Sequence, residues 1–280
     1  MKNFYIIANS GKEEAKKTVE VVESYLRSHG AFCRIEQRES RDGAAGCGSC
    51  REVPEDTDCI ITIGGDGTLI QAARGFSHRG IPLVGINRGH LGYLTQVSRD
   101  EDIREMANAL LADQYQIEER MMLDGRIIRE GKEIVNDIAL NEIVLTHRDV
   151  IRVLRFGVYV NSEFLNEYTA DGLIAATPTG STAYNLSAGG PIVAPNASMT
   201  VLTPICSHAL NARSIVLSAD DEICIEVREG SQAAVFDGDT ILELRKGDQV
   251  IITKSRRVTR LIRLRQVSFL ENLSNKLAGV

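Results

Sequence analysis

The sequence lacks a long hydrophobic run. No stretch approaches the roughly 20 apolar residues that a helix needs to cross a bilayer, and the apolar run at residues 4–8 is too short for the core of a signal peptide. Of the 280 residues, 43% are apolar and 25% are charged, which is typical of globular proteins. We therefore expect a cytoplasmic protein with no membrane partner, long enough for two domains or for one large domain.

An excess of positive charge is also missing. The 32 Lys and Arg residues are outnumbered by 38 Asp and Glu residues, which gives a formal net charge of −6 and does not favour binding to nucleic acid or anionic membranes. A basic run from Lys254 to Arg265 contains no aromatic residues and alternates with Val258, Leu261 and Leu264. We interpret it as the solvated face of a strand rather than a nucleic-acid site.

The cysteines and histidines show no metal-binding pattern. Six cysteines follow no disulfide spacing, and only Cys47 and Cys50 form a CxxC pair. A zinc site would need a second pair or nearby histidines, but the five histidines are dispersed and form no HExxH motif. We interpret the pair as reduced thiols in a glycine-rich loop, and the sequence indicates no structural or catalytic metal held by soft ligands.

Short apolar strands alternate with helices over the first 97 residues. The pattern predicts strands at residues 4–8, 32–37, 58–63 and 81–87, with helices beginning after residue 11 and near residue 68. Such alternation is typical of a parallel sheet covered by helices on both faces. Residues 1–97 are therefore predicted to form an α/β domain.

The pattern changes after residue 97. One helix is predicted at about residues 101–112, and beyond it short strands joined by Gly and Asp turns indicate mostly antiparallel β structure. An apolar-periodic segment at residues 267–277 predicts a final helix. Residues 98–280 are therefore predicted to form a second, mainly β domain, and the sequence leaves open whether residues 266–280 pack back on the first one.

A glycine-rich turn, GGDGT, follows the third predicted strand and precedes a helix. Glycines let the backbone turn tightly and approach a ligand closely, and a helix N-terminus offers free N–H groups and a positive dipole end. Thr68 suits a helix cap or a first-turn hydroxyl. The Walker A and Rossmann glycine motifs are both absent. The turn therefore predicts a phosphate site of another kind.

Asp66, the carboxylate within this turn, has two interpretations. Aspartates beside glycine commonly bond to backbone amides in turns. Alternatively, Asp66 accepts a proton from an attacking hydroxyl or contacts a phosphate-bound Mg²⁺. The second interpretation explains a carboxylate beside phosphates, because in both of its versions the carboxylate interacts with something other than the phosphate oxygens.

A second glycine- and hydroxyl-rich stretch lies at residues 171–193. Its centre, TPTGST, carries four hydroxyls in six residues and precedes a short predicted helix at residues 183–188. Hydroxyls and amides at a helix start suit phosphate or ribose oxygens, although a capping loop without a ligand would look similar. In DIALNEIVL, strand alternation turns either Asn141 or Glu142 inward, which alone is weak support for a site.

The residues together resemble the NAD kinase family. The resemblance rests on four motifs in order: GGDGT (64–68), NRGHLGYLT (87–95), NEIVL (141–145) and YTADGLIAATPTGSTAYNLSAGGPI (168–192). The fourth motif is long and specific, whereas GGDGT is shared with diacylglycerol and sphingosine kinases and is similar to a turn of phosphofructokinases. The resemblance covers residues 58 to 215 most clearly.

This resemblance implies a fold and an activity. It implies an α/β N-terminal domain with a parallel sheet and flanking helices, and a mostly antiparallel, β-sandwich-like C-terminal domain. It also implies a kinase that phosphorylates the adenosine ribose 2′-hydroxyl of NAD to give NADP. The donor would be ATP, or polyphosphate, with Mg²⁺ or another divalent cation. A homodimer or homotetramer is expected.

The resemblance also assigns site residues. Asp66 would be the general base, with Gly65, Gly67 and Thr68 lining the same site. Glu142 would bind a ribose hydroxyl, and Asp171 would contact the nicotinamide end. The full set of implied NAD-binding positions is Asn141, Glu142, Arg152, Thr169, Asp171, Thr182, Ala183, Tyr184, Asn185, Leu186, Ser187 and Cys206.

Two positions depart from the family pattern, and two rival functions fit parts of the sequence. Thr169 stands where some members carry a charged residue, which bears on tolerance of NADH, and Asp239 stands where glutamine is frequent. A lipid kinase would share the GGDGT turn but has no use for the TPTGST stretch. A nucleotide sensor would bind NAD without chemistry and would not depend on Asp66.

Overall fold

The computed structural model describes residues 1–9, 11, 13–38, 53–88, 92–148, 153–209, 212–229, 232–264 and 269–277. It divides the chain into two compact units. Unit 1 comprises Met1–Glu119 together with Thr259–Val280, and unit 2 comprises Arg120–Val258. Among the described residues, no helix is both long enough and apolar enough to span a membrane.

Unit 1 is built on a parallel sheet with the strand order β2-β1-β3-β4. Its strands and helices are β1 (Asn3–Asn9), α1 (Glu13–Ser28), β2 (Phe32–Arg38), β3 (Cys59–Gly64), α2 (Asp66–Gly75), β4 (Leu83–Asn87) and α3 (Asp100–Leu111). Every residue of β3 and β4 is buried, as expected for parallel strands covered on both faces. The predicted α/β architecture is confirmed.

The core of unit 1 explains where this unit ends. Helix α3 buries Ile103, Met106 and Leu110 in the same apolar cluster that contains the buried stripe of α1 and residues of the parallel strands. The unit therefore extends to Glu119, whereas the predicted boundary at residue 97 falls before α3. The helix pattern was visible in the sequence, but the core into which it packs was not.

Unit 2 is mostly antiparallel β structure, as predicted. It begins within β5 (Gln116–Arg129) and continues through β6 (Lys132–Ala139), β7 (Glu142–His147), β8 (Leu154–Val160), β9 (Glu163–Ala170), β10 (Gly172–Ala176), α4 (Tyr184–Ser187), β11 (Met199–Ile205), β12 (Ile215–Ser218), β13 (Ile223–Val227), β14 (Gln232–Phe236) and β15 (Thr240–Leu244). One antiparallel sheet has the order β12-β11-β10-β7-β14-β15. In the other, β13 and β9 flank β8. Both sheets contribute to one apolar cluster, which includes Phe156 and Phe236.

The last long strand, β16 (Gln249–Arg263), carries the chain from unit 2 back into unit 1. Its first part pairs with β13, and near its end Leu261 pairs in parallel with Leu83 of β4. Its basic side chains form ion pairs at Arg260 with Glu119 and at Arg263 with Glu118. Arg260 is exposed, as expected for a solvated strand face, whereas Arg263 is half-buried. The predicted C-terminal helix is present as α5 (Phe269–Leu277).

Candidate functional site

The GGDGT turn joins β3 to α2 in unit 1. Strand β3 ends at Gly64 and α2 begins at Asp66, two residues earlier than predicted, with Gly65 at the N-cap in an extended conformation. Thr68 therefore lies in the first turn rather than at the cap. A Cβ on Gly64 would lie only 2.4 Å from the Thr68 Oγ1, so this turn requires glycine at position 64. Gly67 is exposed.

The Asp66 carboxylate is held by the segment that follows β4. Its Oδ2 accepts a hydrogen bond from the Tyr93 N–H at 2.6 Å, and its Oδ1 accepts from the N–H and hydroxyl of Thr95 at 3.1 and 3.0 Å. The Leu94 N–H is shared between both oxygens at 3.2–3.3 Å. A Cβ on Gly92 would lie 1.9 Å from Oδ1. The GYLT part of the second motif therefore orients this carboxylate.

This geometry bears on both interpretations of Asp66. The carboxylate does bond to backbone amides, but the amides belong to residues 27 to 29 positions away rather than to its own turn. The side chain is half-buried, and its longest hydrogen bonds are those from Leu94. A carboxylate oxygen can accept about two hydrogen bonds, so an incoming hydroxyl could replace the shared Leu94 bond.

In unit 2, Asn141 and Glu142 lie where β7 begins. Both residues are buried, whereas strand alternation predicted that only one of them would face inward. The difference arises because Asn141 lies in a bend that precedes the strand, where the alternation does not apply. Their backbone is anchored by a residue that the sequence did not single out. The Asp237 carboxylate accepts hydrogen bonds from the N–H groups of Leu140, Asn141 and Glu142 at 2.7, 2.8 and 3.0 Å.

Asp237 occupies the turn between β14 and β15. Asp237 and Gly238 both adopt positive φ, at 50° and 71°, which is typical of the tight turns that join antiparallel strands. The sequence signal, FDGD after an alternating strand, predicted only a turn. The partner segment lies 95 to 97 residues earlier in the chain, so no local pattern could reveal the contact.

Glu142 is a carboxyl group in an unfavourable place for a charge. Its side chain is 7% exposed, and burial together with the nearby Asp237 raises the pKa of Glu142 to about 8, partly offset by a hydrogen bond from the Tyr184 N–H. Its Oε2 is buried and has no hydrogen-bond partner in the part of the chain that the structure describes. Buried polar atoms are normally paired, so this atom points to a ligand.

The TPTGST stretch packs against the Asn141 segment. The Thr177 hydroxyl donates to the Leu140 carbonyl at 2.6 Å, and the Thr177 N–H donates to the Asn141 carbonyl at 2.8 Å. A Cβ on Gly180 would lie 2.1 Å from the same Asn141 carbonyl oxygen. The third and fourth motifs, which are separate in sequence, therefore form one structure.

The segment from Thr182 to Ser187 has an inner and an outer side. The Asn185 amide is fully buried, donates to the carbonyls of Ser181 and Pro191, and accepts from the Thr203 hydroxyl. It holds the loop together. Outside it lie Thr182 and Ala183, which are half-buried, and the exposed Tyr184, Leu186 and Ser187. These outer residues are available to a ligand.

A second group of candidate residues lies at the other end of β10. The Asp171 N–H donates to the Ile205 carbonyl, and Asp171 Oδ1 lies 3.8 Å from His147 Nε2. The half-buried Thr169 accepts a hydrogen bond from the His208 N–H at its carbonyl. Cys206 is exposed and follows β11 with φ at 46°. Arg152, Cys47 and Cys50 lie outside the described residues.

The two groups are separated along one strand. Glu142 pairs with Ala176 and Thr146 pairs with Gly172 in the register of β7 and β10. Four residue steps along a strand span about 13 Å. Glu142 and Asp171 therefore lie near opposite ends of β10, a separation that suits an extended, two-ended ligand.

Metal ions in proteins are held by several Cys, His, Asp or Glu side chains that lie close together. Within the described ranges, no group of three or more His, Cys, Asp or Glu side chains is arranged to hold a metal ion.

Comparison with known protein families matches both units. A model of the ATP-NAD kinase N-terminal domain matches residues 4–115, and a model of the ATP-NAD kinase C-terminal domain matches residues 140–264. The NAD kinase of Lachnospira eligens is 43% identical over 294 aligned residues, covering 99% of this chain and all of the relative. The NAD kinase of Agathobacter rectalis is 41% identical, covering 100% of this chain and 99% of the relative.

Two solved structures have a similar fold. The crystal structure of yeast NADH kinase complexed with NADH aligns with a TM-score of 0.83 at 22% identity, covering 99% of this chain and 88% of the yeast chain. The NAD kinase from Archaeoglobus fulgidus in complex with ATP aligns with a TM-score of 0.76 at 23% identity, covering 99% of both chains.

Proposed function

The chain belongs to the NAD kinase family, and we propose that it transfers the terminal phosphoryl group of ATP to the 2′-hydroxyl of the adenosine ribose of NAD. The resemblance inferred from the four motifs is confirmed, and the activity is ATP-dependent phosphorylation of NAD to NADP. The observation that carries the mechanism is the Asp66 carboxylate, which three backbone amides and one hydroxyl orient at the start of α2.

Asp66 is the general base of this proposal. A ribose hydroxyl is a poor nucleophile, and a carboxylate within hydrogen-bond reach can accept its proton as it attacks. The hydroxyl oxygen forms a bond to the γ-phosphorus, the bond from that phosphorus to the β–γ bridging oxygen breaks, and ADP leaves with the electron pair. Asp66 holds the proton and releases it to solvent. Phosphoryl transfer otherwise needs mainly positioning and charge neutralisation.

Unit 1 is proposed to bind the phosphates of the donor. Gly65, Gly67 and Thr68 surround the N-terminus of α2, where free N–H groups and the helix dipole favour anions. The divalent cation, Mg²⁺ in the simplest case, is proposed to arrive on the ATP phosphates as part of the substrate. The described residues offer no cluster that would hold it without them.

Unit 2 is proposed to bind NAD. Glu142 and Asn141 would bind the adenosine ribose, and Asp171, with Thr169 and the Cys206 backbone nearby, would bind the nicotinamide end. The separation of these two groups along β10 supports this assignment. Tyr184, which is 43% exposed, is suited with the exposed Leu186 and Ser187 to packing against the adenine.

Several family properties remain proposals for this chain. They are a contribution of Arg152 to dinucleotide binding, a homodimer or homotetramer, use of polyphosphate as a donor, and a cytoplasmic location. The lipid-kinase alternative is disfavoured because this chain has, besides the GGDGT turn, the TPTGST loop of unit 2, in which Thr177 packs against the segment that carries the buried Glu142.

The test is a direct assay of product. Purified protein is incubated with Mg²⁺-ATP and NAD, and NADP is measured with an NADP-specific dehydrogenase; polyphosphate replaces ATP in a parallel reaction. We expect Asp66→Asn to lower kcat by at least ~10²-fold, the typical contribution of a general base, with the Kd for NAD nearly unchanged. Asp56→Asn, at an exposed turn of the same unit, is the matched control.

The outcomes separate the candidate functions. Near-normal turnover by Asp66→Asn would remove the base assignment. Normal NAD binding without NADP formation from either donor would favour the nucleotide sensor, and phosphorylation of diacylglycerol instead of NAD would favour the lipid kinase.

A further inference from the structure

Two acidic residues, Glu142 and Asp237, are neighbours where β7 begins and β14 ends. Phe236 pairs with Ile143 across these strands, which places Asp237 beside Glu142. The two residues also exchange hydrogen bonds. The Asp237 N–H donates to the Glu142 carbonyl at 3.1 Å, and the Glu142 N–H donates to Asp237 Oδ1 at 3.0 Å.

The two carboxyls differ in how far their hydrogen-bonding capacity is used. Asp237 accepts three backbone N–H groups, from Leu140 to Oδ2 and from Asn141 and Glu142 to Oδ1. Glu142 is more than nine-tenths buried, yet its Oε2 has no partner among the described residues. A buried carboxyl oxygen without a partner is costly, and a bound ligand would supply the missing hydrogen bond.

We propose that Asp237 is a positioning residue for NAD binding, which fixes the backbone of residues 140–142 and thereby aims the Glu142 carboxyl at a ribose hydroxyl. The inference rests on the proposed function and extends it to a residue outside the four motifs. Asp237 need not touch the substrate. It acts through the three N–H groups that it accepts and through its charge.

Burial, together with the charge of Asp237, determines which form of Glu142 meets the substrate. Burial and the adjacent Asp237 carboxylate raise the pKa of Glu142 to about 8, so Glu142 carries a proton at neutral pH. Among the described residues, no positive charge acts on Glu142: α4 contributes the N–H of Tyr184, and β10 places Ala176 at the paired position. Glu142 therefore donates a hydrogen bond from its carboxyl to a ribose hydroxyl oxygen, and ionisation above pH 8 removes that donor.

The experiment measures the Kd of NAD by calorimetry between pH 6 and 9.5, on the full chain and without ATP. For the unaltered protein we expect binding to weaken about tenfold with a midpoint near pH 8. Glu142→Gln keeps an N–H donor and cannot ionise, so its Kd should not change with pH. Asp237→Asn keeps an acceptor oxygen for Asn141 and Glu142 but loses the charge and the acceptor for the Leu140 N–H, so the midpoint should fall by at least one pH unit.

A third variant separates positioning from charge. Asp237→Ala removes both, and we expect NAD binding about tenfold weaker at pH 7, with a smaller loss in Asp237→Asn. An Asp237→Asn midpoint equal to that of the unaltered protein would show a merely structural role and would overturn the proposal. So would pH-independent binding by the unaltered protein, a result that needs no variant to fold. Absence of any NAD binding at pH 7 would instead refute the proposed function on which the inference rests.

Discussion

At the scale of single residues, backbone amides orient one carboxylate in each unit. Asp66 receives the N–H groups of Tyr93, Leu94 and Thr95, and Asp237 receives those of residues 140–142. Backbone donors cannot rotate away as side chains can, and hydrogen bonds to a carboxylate are among the strong ones. Glu142 differs from these two residues. Burial and the neighbouring Asp237 raise its pKa, and only one backbone amide, that of Tyr184, opposes them.

Glu142 should make the stability of the protein depend on pH. Its pKa is about 8 in the folded protein against an ordinary 4.5, so between these values the folded state retains a proton that the unfolded state has released. The free energy of unfolding therefore falls as pH rises through this window, by up to about 1.4 kcal/mol per pH unit. We expect thermal unfolding of the ligand-free Glu142→Gln variant to lack this decline between pH 5 and pH 8.

The control for this prediction is Glu133→Gln, an exposed position on β6, which should follow the pH dependence of the unaltered protein. If the stability of Glu142→Gln and that of the unaltered protein declined equally with pH between pH 5 and pH 8, the assigned environment of Glu142 would be wrong.

At the scale of secondary-structure elements, the loop after β10 and the bend before β7 support each other. Thr177 is completely buried. Its hydroxyl donates to the Leu140 carbonyl and accepts the Gly180 N–H at 3.0 Å. These bonds hold the start of TPTGST against the segment that Asp237 anchors from the other side. Neither loop would keep its conformation alone, because each supplies buried hydrogen-bond partners to the other.

Replacing Thr177 by valine tests this mutual support. The valine has nearly the same shape but leaves the Leu140 carbonyl and the Gly180 N–H without their partner, which should lower the free energy of unfolding by about 1–3 kcal/mol. We also expect a higher KM for NAD with a smaller change in kcat, because the change displaces Asn141 and Glu142 rather than Asp66. Chemical denaturation and steady-state kinetics measure the two effects.

Thr182→Val is the comparison for stability. Thr182 is half-buried, and its hydroxyl donates a longer hydrogen bond, 3.3 Å, to the Thr179 carbonyl. The free energy of unfolding should therefore change less in Thr182→Val than in Thr177→Val. An equal loss in both variants would show that the Thr177 contacts have no special weight.

At the scale of the whole molecule, the chain leaves unit 1 at Glu119 and returns to it at Thr259. The returning part of β16 is integral to the first core. Ile262 is fully buried in the apolar cluster of unit 1, its carbonyl accepts the Gln96 Nε2–H at 2.8 Å, and Leu261 extends the parallel sheet beside Leu83. Unit 1 is thus completed by residues translated after all of unit 2.

Truncation should reveal this dependence. A chain ending at Val258 loses Leu261 and Ile262, and each buried aliphatic side chain contributes about 2–5 kcal/mol, so we expect unit 1 to be unfolded. A chain ending at Leu264 loses α5, where Leu270 is 71% exposed, and should keep most of its stability. Circular dichroism and limited proteolysis distinguish the two, and equal stability of both truncated chains would refute the prediction.

The sequence alone determined the features that local patterns encode. The glycines and hydroxyls marked the GGDGT turn after a buried strand. Apolar periodicity predicted the alternating helices and strands of unit 1, the antiparallel strands of unit 2 and the C-terminal helix. The four motifs identified the family and indicated Asp66 and Glu142 as site residues. These features depend on residues within a few positions of one another.

Only the tertiary structure decided which distant residues share a site or a core. It brought Asp237 to Asn141 and Glu142, residues 93–95 to Asp66, and Ile262 to the core of unit 1. Each of these contacts depends on strand order and pairing register, which follow from how whole sheets bury their apolar faces. An aspartate in a turn has the same local sequence pattern whether its carboxylate faces solvent or binds the backbone of a distant loop. Its role therefore depends on which strands pair beside it.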